Sequence, residues 1–132
     1  MSEMNANNEI LIHVESGVMT ITFNRIEKKN SISSAMYATM ADALVQADSS
    51  SVVRVVVFQG HEAVFCAGND IEDFLKGPPT SQESPVMRFL YAISSFTKPL
   101  IASVCGPAVG VGTTMLLHCD LVYAGDNAAF SM

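Results

Sequence analysis

Hydrophobic and polar positions change their period several times along this chain, and each change marks an element. Residues 10–14 and 18–23 are two β-rich runs separated by Glu15, Ser16 and Gly17; in the second, Val18, Thr20 and Thr22 alternate with Met19, Ile21 and Phe23. A period of two on both sides of a glycine-bearing turn predicts a hairpin. After a polar loop at residues 24–30 the period lengthens. Met36, Met40 and Leu44 recur at every fourth position, flanked by Tyr37, Ala41 and Ala43. That spacing predicts an amphipathic helix over about residues 34–47, with Ser33 or Ser34 able to cap its free amides. Residues 52–58 are all valine and phenylalanine except Arg54. A β-branched run without alternation predicts a strand covered on both faces.

The remainder repeats the strand-then-helix order. Residues 59–70 read as a loop, and Asp70 is placed to cap a short helix from Ile71 to about Lys76 that Gly77, Pro78 and Pro79 stop. A polar linker reaches Ser84, where Ser84-Pro85 is a favoured cap-then-proline helix start. Val86, Phe89, Leu90, Ile93 and Phe96 mark the apolar face of that helix, and Lys98-Pro99 ends it. Residues 100–105 read as a buried strand, 106–110 as a turn, 111–118 as a short helix, and 121–124 as one more apolar strand. The alternation predicts an α/β architecture with parallel strands. Residues 1–9 are expected to be a flexible lead-in, and 10–132 one domain.

Composition narrows the class. With 132 residues, 49% hydrophobic and 15% charged, the chain can bury a core without a disulfide or metal staple. Cys66, Cys105 and Cys119 form no CxxC pair and are odd in number, which predicts small, buried, reduced thiols. The first eight residues lack a basic region leading into an apolar one, and no apolar run reaches the length of a membrane span. A cytoplasmic location is expected, with no membrane partner. The net charge of −6 opposes nucleic acid and anionic membranes at long range. Yet Arg25, Lys28 and Lys29 crowd together, either as a solvated loop or as a seat for a small phosphorylated ligand. His13, His61 and His118 are scattered without metal-ligand spacing, so no metal is expected.

Two segments carry candidate chemistry. In residues 64–71, Gly68 permits a tight or left-handed turn, and the amides after it lie near a helix start, where N–H groups without helical partners point outward. Residues 106–114 also open a helix from a buried strand. A dinucleotide fingerprint would need glycine where Met115 stands, and a phosphate loop would need a Lys-Ser/Thr pair that is absent. Either segment alone also reads as a simple strand-to-helix link. Together they offer two N–H donors beside glycines, the parts of an oxyanion hole, in which one donor contributes about 3 kcal/mol to a transition state.

The ordered motifs resemble those of the crotonase, or enoyl-CoA hydratase/isomerase, family. Asn24-Arg25-Ile26-Glu27-Lys28-Lys29-Asn30-Ser31-Ile32 is similar to its N-R-P-x-x-x-N-A-L loop, and Phe65-Cys66-Ala67-Gly68-Asn69-Asp70-Ile71 to its F-x-A-G-x-D-I turn. Lys98-Pro99-Leu100-Ile101-Ala102, followed by Gly106-Pro107-Ala108-Val109-Gly110, resembles K-P-x-I-A-x-x-x-G-x-A-x-G, and Cys119-Asp120 a C-D pair. The resemblance implies a crotonase-like fold of repeated ββα units, here the N-terminal part of the core. It implies an acyl-CoA substrate, no cofactor beyond the coenzyme A the substrate carries, and a homotrimer or dimer of trimers. It makes the backbone N–H groups of Asn69 and Val111 the oxyanion pair, shaped by Gly68 and Gly110. Ala67 and Ile71 would lie near the adenine, and Lys28 or Lys29 would face the phosphates.

The resemblance also implies which reaction to expect. Family hydratases use two glutamates, and Thr114 stands at the first position, where it cannot act as a base. Ala-Gly-Asn-Asp with Gly-Pro-Ala-Val-Gly-Val is more similar to members that move a double bond from the 3- to the 2-position with one carboxylate. That carboxylate lies beyond the strand starting near Ala128, so the base is expected outside a chain truncated at its C-terminus. Asp70 reads as a helix cap, Asp120 as a buried acceptor at a strand start, and Glu62, Glu72 and Asp73 as solvated charges.

Overall fold

The computed structural model describes residues 2–3, 8–76 and 83–132. Ser2–Glu3 (β1), Ile10–Glu15 (β2) and Val18–Phe23 (β3) run antiparallel, with Ile10 opposite Phe23 and Glu15 opposite Val18 in the predicted hairpin. Its turn closes because Ser16 and Gly17 both take positive φ, 54° and 84°, the backbone hand that matches strand twist. β1 pairs Ser2 with Val14 and Glu3 with His13, where the polar lead-in carries no alternation; residues 4–7 lie outside the described ones.

From β3 the sheet continues in parallel through Val55–Gln59 (β4), Leu100–Val104 (β5) and Leu121–Ala124 (β7), giving the order β1-β2-β3-β4-β5-β7. Between them lie Ser34–Ser49 (α1), Ile71–Lys76 (α2), Pro85–Ser94 (α3) and Val111–Thr114 (α4). The sequence signals act as predicted at both long helices. Ser33 Oγ accepts from Met36 N–H and Ser84 Oγ from Met87 N–H, each with 3.3 Å between heavy atoms, and Pro85 opens α3. α1 buries Met36, Tyr37, Met40, Ala41, Ala43, Leu44 and Ala47 in one core with Met19, Ile21, Phe23, Val56, Phe58 and Leu100 of the sheet. α3 adds Phe89, Ala92 and Ile93, while Leu90, expected on the same face, is exposed. Position 90 lies about 100° around the helix from 89, off the buried stripe. The predicted stop at residues 77–79 and most of the linker after it lie outside the described residues.

Other boundaries moved. β4 begins at Val55, because Val52 and Val53 donate to Ser50 Oγ in a turn and Arg54 and Val55 donate to Gly17 O. Only Val56 and Phe58 are fully buried in it; Val55 and Val57 are half-covered. The turn expected at residues 106–110 holds a short strand, Pro107–Val109 (β6), paired in parallel with Ala129–Ser131 (β8) in a second small sheet. The helix expected over 111–118 is one turn of α-helix followed by a 3-10 turn at Met115–His118, consistent with the weak helix formers Val, Gly and Thr at its start. β7 is a strand as expected, but an exposed edge strand along its whole length. No helix among the described residues is long and apolar enough to cross a membrane.

One side chain ties helix to sheet. Lys98 is half-buried, and its Nζ donates to the carbonyls of Ala47, Ser50 and Val53 at 2.7, 2.6 and 2.7 Å. A cation is thus set against the carbonyl end of α1, where the helix dipole is negative. Lys98→Met keeps the stem and strips all three charge-assisted bonds, so a loss of about 2 kcal/mol is expected. Thermal unfolding reads this as a midpoint several degrees lower; an unmoved midpoint would remove Lys98 from the stability account.

Candidate functional site: two glycine turns joined through their backbones

The two glycine-bearing segments meet. Phe65 and Cys66 donate their N–H groups to Pro107 O at 3.0 and 3.2 Å, and Val109 N–H donates to Cys66 O at 2.9 Å. This parallel bridge, Cys66 to Ala108, zips the first turn to β6. Just beyond it, Gly68 at φ 95° and Gly110 at φ 58° face each other: a Cβ on Gly68 would stand 3.0 Å from Val109 O and 4.0 Å from Gly110 Cα. Residues distant in sequence therefore place Asn69 and Val111 on adjoining turns.

Their N–H groups are directed by what surrounds them. Ile32 N–H donates to Gly68 O at 2.7 Å and Asp70 N–H to Ile32 O at 3.0 Å, a second parallel bridge in which Asn69 is the bridging residue. Such a bridge uses the flanking groups and turns the bridging residue's own N–H to the opposite side. Val111 is the first residue of α4, and Gly110 supplies no side-chain cap, so its N–H has no intrahelical acceptor. Among the described residues neither amide is engaged in a backbone bond. Asn69 is exposed, and its carboxamide Oδ1 accepts the hydroxyl of the buried Tyr37.

The basic loop is stitched to the first turn. Asn30 is wholly buried; its Oδ1 takes Arg25 N–H at 2.7 Å, and its Nδ2 donates to Val64 O and Phe65 O at 3.3 and 3.2 Å. Ala67 N–H donates to Lys29 O at 3.1 Å. Arg25 bonds Ser31 O at 3.0 Å and pairs with Glu9 at 3.2 Å and Asp70 at 2.8 Å. Lys28 and Lys29 stay exposed on this loop. Sequence reasoning singled out those lysines for binding but gave Arg25 and Asn30 no positional role. The signal was present in the motif, whose fixed letters include this arginine and this asparagine.

Asp70 caps α2 as predicted, its Oδ1 accepting Asp73 N–H at 3.1 Å, while Oδ2 holds Arg25. The Asp73 N–H first, and the Arg25 guanidinium second, hold its carboxyl below the usual carboxylate range. A lowered pKa contributes stability that is complete above about pH 4 and is lost as pH falls through the folded value. Asp70→Asn removes that acid-sensitive share. The gap between unfolding midpoints at about pH 7 and about pH 3 is therefore expected to narrow, and an unchanged gap would count against it.

Two acidic residues differ from expectation. Asp73 is not a free solvated charge: its Oδ2 accepts Ser34 N–H and Ser34 Oγ–H, both at 2.7 Å. α2 folds over the start of α1 and sets a carboxylate on the positive end of that helix, a contact no local pattern announces. Asp120 accepts Leu100 N–H at 2.8 Å as predicted, but it is exposed rather than buried because β7 is an edge. His13 pairs with Glu15, His61 Nδ1 takes Ala63 N–H, and His118 is exposed. No group of His, Cys, Asp and Glu among the described residues could hold a metal. All three cysteines are free thiols; Cys66 is buried as expected, which pushes its thiol up to about 12, whereas Cys105 and Cys119 are only half-buried. Ile71 is 73% exposed on α2, and Thr114 is half-buried at the end of α4.

A groove of about 600 Å³ lies elsewhere, between α1 and α3, lined by residues including Ala41, Val45, Met87 and Tyr91. It contains none of the turn residues, and its lining is mostly apolar.

Known proteins align with the same segments. The profile of the enoyl-CoA hydratase/isomerase family matches residues 13–132. The 1,2-epoxyphenylacetyl-CoA isomerase of Escherichia coli (strain K12) is 38% identical over 130 residues, 93% of this chain and 50% of its own length. Enoyl-CoA delta isomerase 2 of Rattus norvegicus is 39% identical over 127 residues, 92% of this chain and 32% of its own. The solved structure of Pseudomonas aeruginosa OdaA superposes with a TM-score of 0.90 at 50% identity, covering 94% of this chain and 50% of that one. The chain thus spans half or less of the length of these relatives.

Proposed function

The chain belongs to the enoyl-CoA hydratase/isomerase family, and from that premise we propose that it seats an acyl-CoA thioester between its two glycine turns and serves the shift of a 3-enoyl-CoA to its 2-enoyl isomer. The observation that carries this reading is the contact of Gly68 with Gly110, which brings the unengaged N–H groups of Asn69 and Val111 onto neighbouring turns. In the proposed reaction a base removes a proton from C2, and the electron pair moves through the C1 carbonyl to make an enolate. The two N–H groups take the oxyanion, each contributing about 3 kcal/mol. The proton returns at C4, the double bond closes between C2 and C3, and no net charge or oxidation change results.

Lys28 and Lys29 would meet the phosphates, and Ala67 and Ile71 the adenine; the reaction asks for no cofactor beyond the coenzyme A of the substrate. Asp70, Asp73 and Asp120 are each engaged elsewhere, and the resemblance to the family assigns the proton shuttle to a carboxylate outside residues 1–132. The complete protein is proposed to act as a homotrimer or dimer of trimers. Thr114 has no carboxylate to serve as one of two hydrating bases, which favours isomerisation over water addition.

Calorimetric titration with acetoacetyl-CoA and with unacylated coenzyme A tests the binding claim. Saturable binding, tighter for the thioester and weakened by salt, is expected. Failure to bind any coenzyme A ester would leave only a structural likeness. In the full-length protein, isomerisation of 3-hexenoyl-CoA should outpace hydration of crotonyl-CoA. The reverse order would make it a hydratase, and binding without turnover would make it a thioester-binding module.

A further inference from the structure

Tyr37 lies at the heart of the α1–α3 contact, 2% exposed, with its ring 5.4 Å from that of Phe89 and tilted by 52°. The apolar pattern explains the ring but not the hydroxyl, which a phenylalanine at this core position would lack. That hydroxyl crosses to the first glycine turn and donates to Asn69 Oδ1. Burial first, and Cys66 second, raise the phenol above its ordinary range, so it stays a protonated donor. Asn69 is in turn the residue whose backbone N–H is assigned to the enolate.

Resting on the enolate-binding reading above, we propose that Tyr37 is a positioning residue that holds the Asn69 carboxamide oxygen away from the oxyanion seat. The reason is electrostatic. An asparagine at a turn readily folds its side-chain oxygen back onto nearby backbone N–H groups. Here those groups are the donors beside Gly68, and a carboxamide oxygen among them would compete with the enolate oxygen for the same hydrogens. Engaging Oδ1 with a buried hydroxyl removes the acceptor end of the side chain and leaves its Nδ2 donor end unopposed. The flanking bonds of Ile32 fix the backbone of Asn69; Tyr37 fixes what the backbone bonds do not.

The test uses the 132-residue chain and acetoacetyl-CoA, whose enolate has its own near-ultraviolet absorption band. The ratio of bound enolate to bound ketone is compared in four proteins: unsubstituted, Tyr37→Phe, Asn69→Ala and the double variant. Tyr37→Phe is expected to lower the ratio about three- to tenfold, the range for one hydrogen bond. The same exchange on the Asn69→Ala background is expected to change nothing further. A role in packing alone would lower stability alike on both backgrounds and leave the ratio unmoved. An undiminished ratio in Tyr37→Phe, or an equal loss on both backgrounds, overturns the proposal. Should Tyr37→Phe not fold, Asn69→Gln moves the side-chain oxygen off the hydroxyl from the solvent side, and a ratio equal to that of the unsubstituted chain overturns the proposal there. Failure of the underlying reading is distinguishable: the unsubstituted chain itself would show no enolate band, and the positioning role would fall with it.

Discussion

Replacing Val111 with proline is expected to lower the bound enolate fraction of acetoacetyl-CoA about 100-fold, the cost of deleting one oxyanion donor. The substitution isolates the N–H because of where it falls. Val111 is the first residue of α4, the one helical position where proline is favoured, since its N–H has no helical partner to lose. Proline also restricts the residue before it, chiefly by excluding the α region. Gly110 already sits outside that region, at φ 58° and ψ −122°, so the exchange meets an open backbone. Val111→Ala, which keeps the amide and trims the half-buried side chain, is expected to lose far less than the proline variant. If proline left the band intact, Val111 would not be a donor to the thioester oxygen.

The second large effect concerns stability. Gly106→Ala is expected to destabilise the fold by about 3 kcal/mol or more, combining a left-handed backbone with a direct clash. Gly106 has φ 72°, and a Cβ there would stand 2.3 Å from Ala63 O and 2.5 Å from Ala63 C. Both contacts are to main chain, which cannot rotate aside as a side chain can. The surroundings are also bonded in place, Gly106 N–H to Asn127 Oδ1 at 3.0 Å and Ala129 N–H to Gly106 O at 3.2 Å. Gly110 is an internal comparison: a Cβ there meets only Gly68 Cα at 3.9 Å, so Gly110→Ala incurs backbone strain of about 1–3 kcal/mol without a clash. Denaturant unfolding should show Gly106→Ala with a much lower midpoint and an unchanged slope. Equal midpoints for the two variants would mean that the Ala63 peptide yields at little cost.

What could be read in advance was whatever local spacing specifies. The hairpin, α1 and α3 follow from alternation, from Met36-Met40-Leu44 and from Ser84-Pro85, because burial on one face leaves a period in the chain. Contacts between distant segments leave no such trace. β6 is three residues between two glycines, and only its pairing with Ala129–Ser131 makes it a strand. Val52 and Val53 look like strand but are held by Ser50 Oγ in a turn. Asp73 looks solvated until α2 folds onto Ser34. At the candidate site, the two glycine turns that meet were singled out by the ordered motifs. The hydroxyl of Tyr37 was not, since a tyrosine on a helical apolar face reads simply as core.

The zipper between the two turns has a consequence for variation over time. It is built from the main-chain atoms of Phe65, Cys66, Pro107 and Val109, and the two donors it presents are main-chain atoms as well. Exchange of a side chain at position 69, 111 or 114 would therefore change the surroundings of the proposed thioester seat without dismantling the main-chain frame that forms it. Such a cradle can be inherited unchanged while the reaction performed in it drifts, with the glycines as the positions least free to follow.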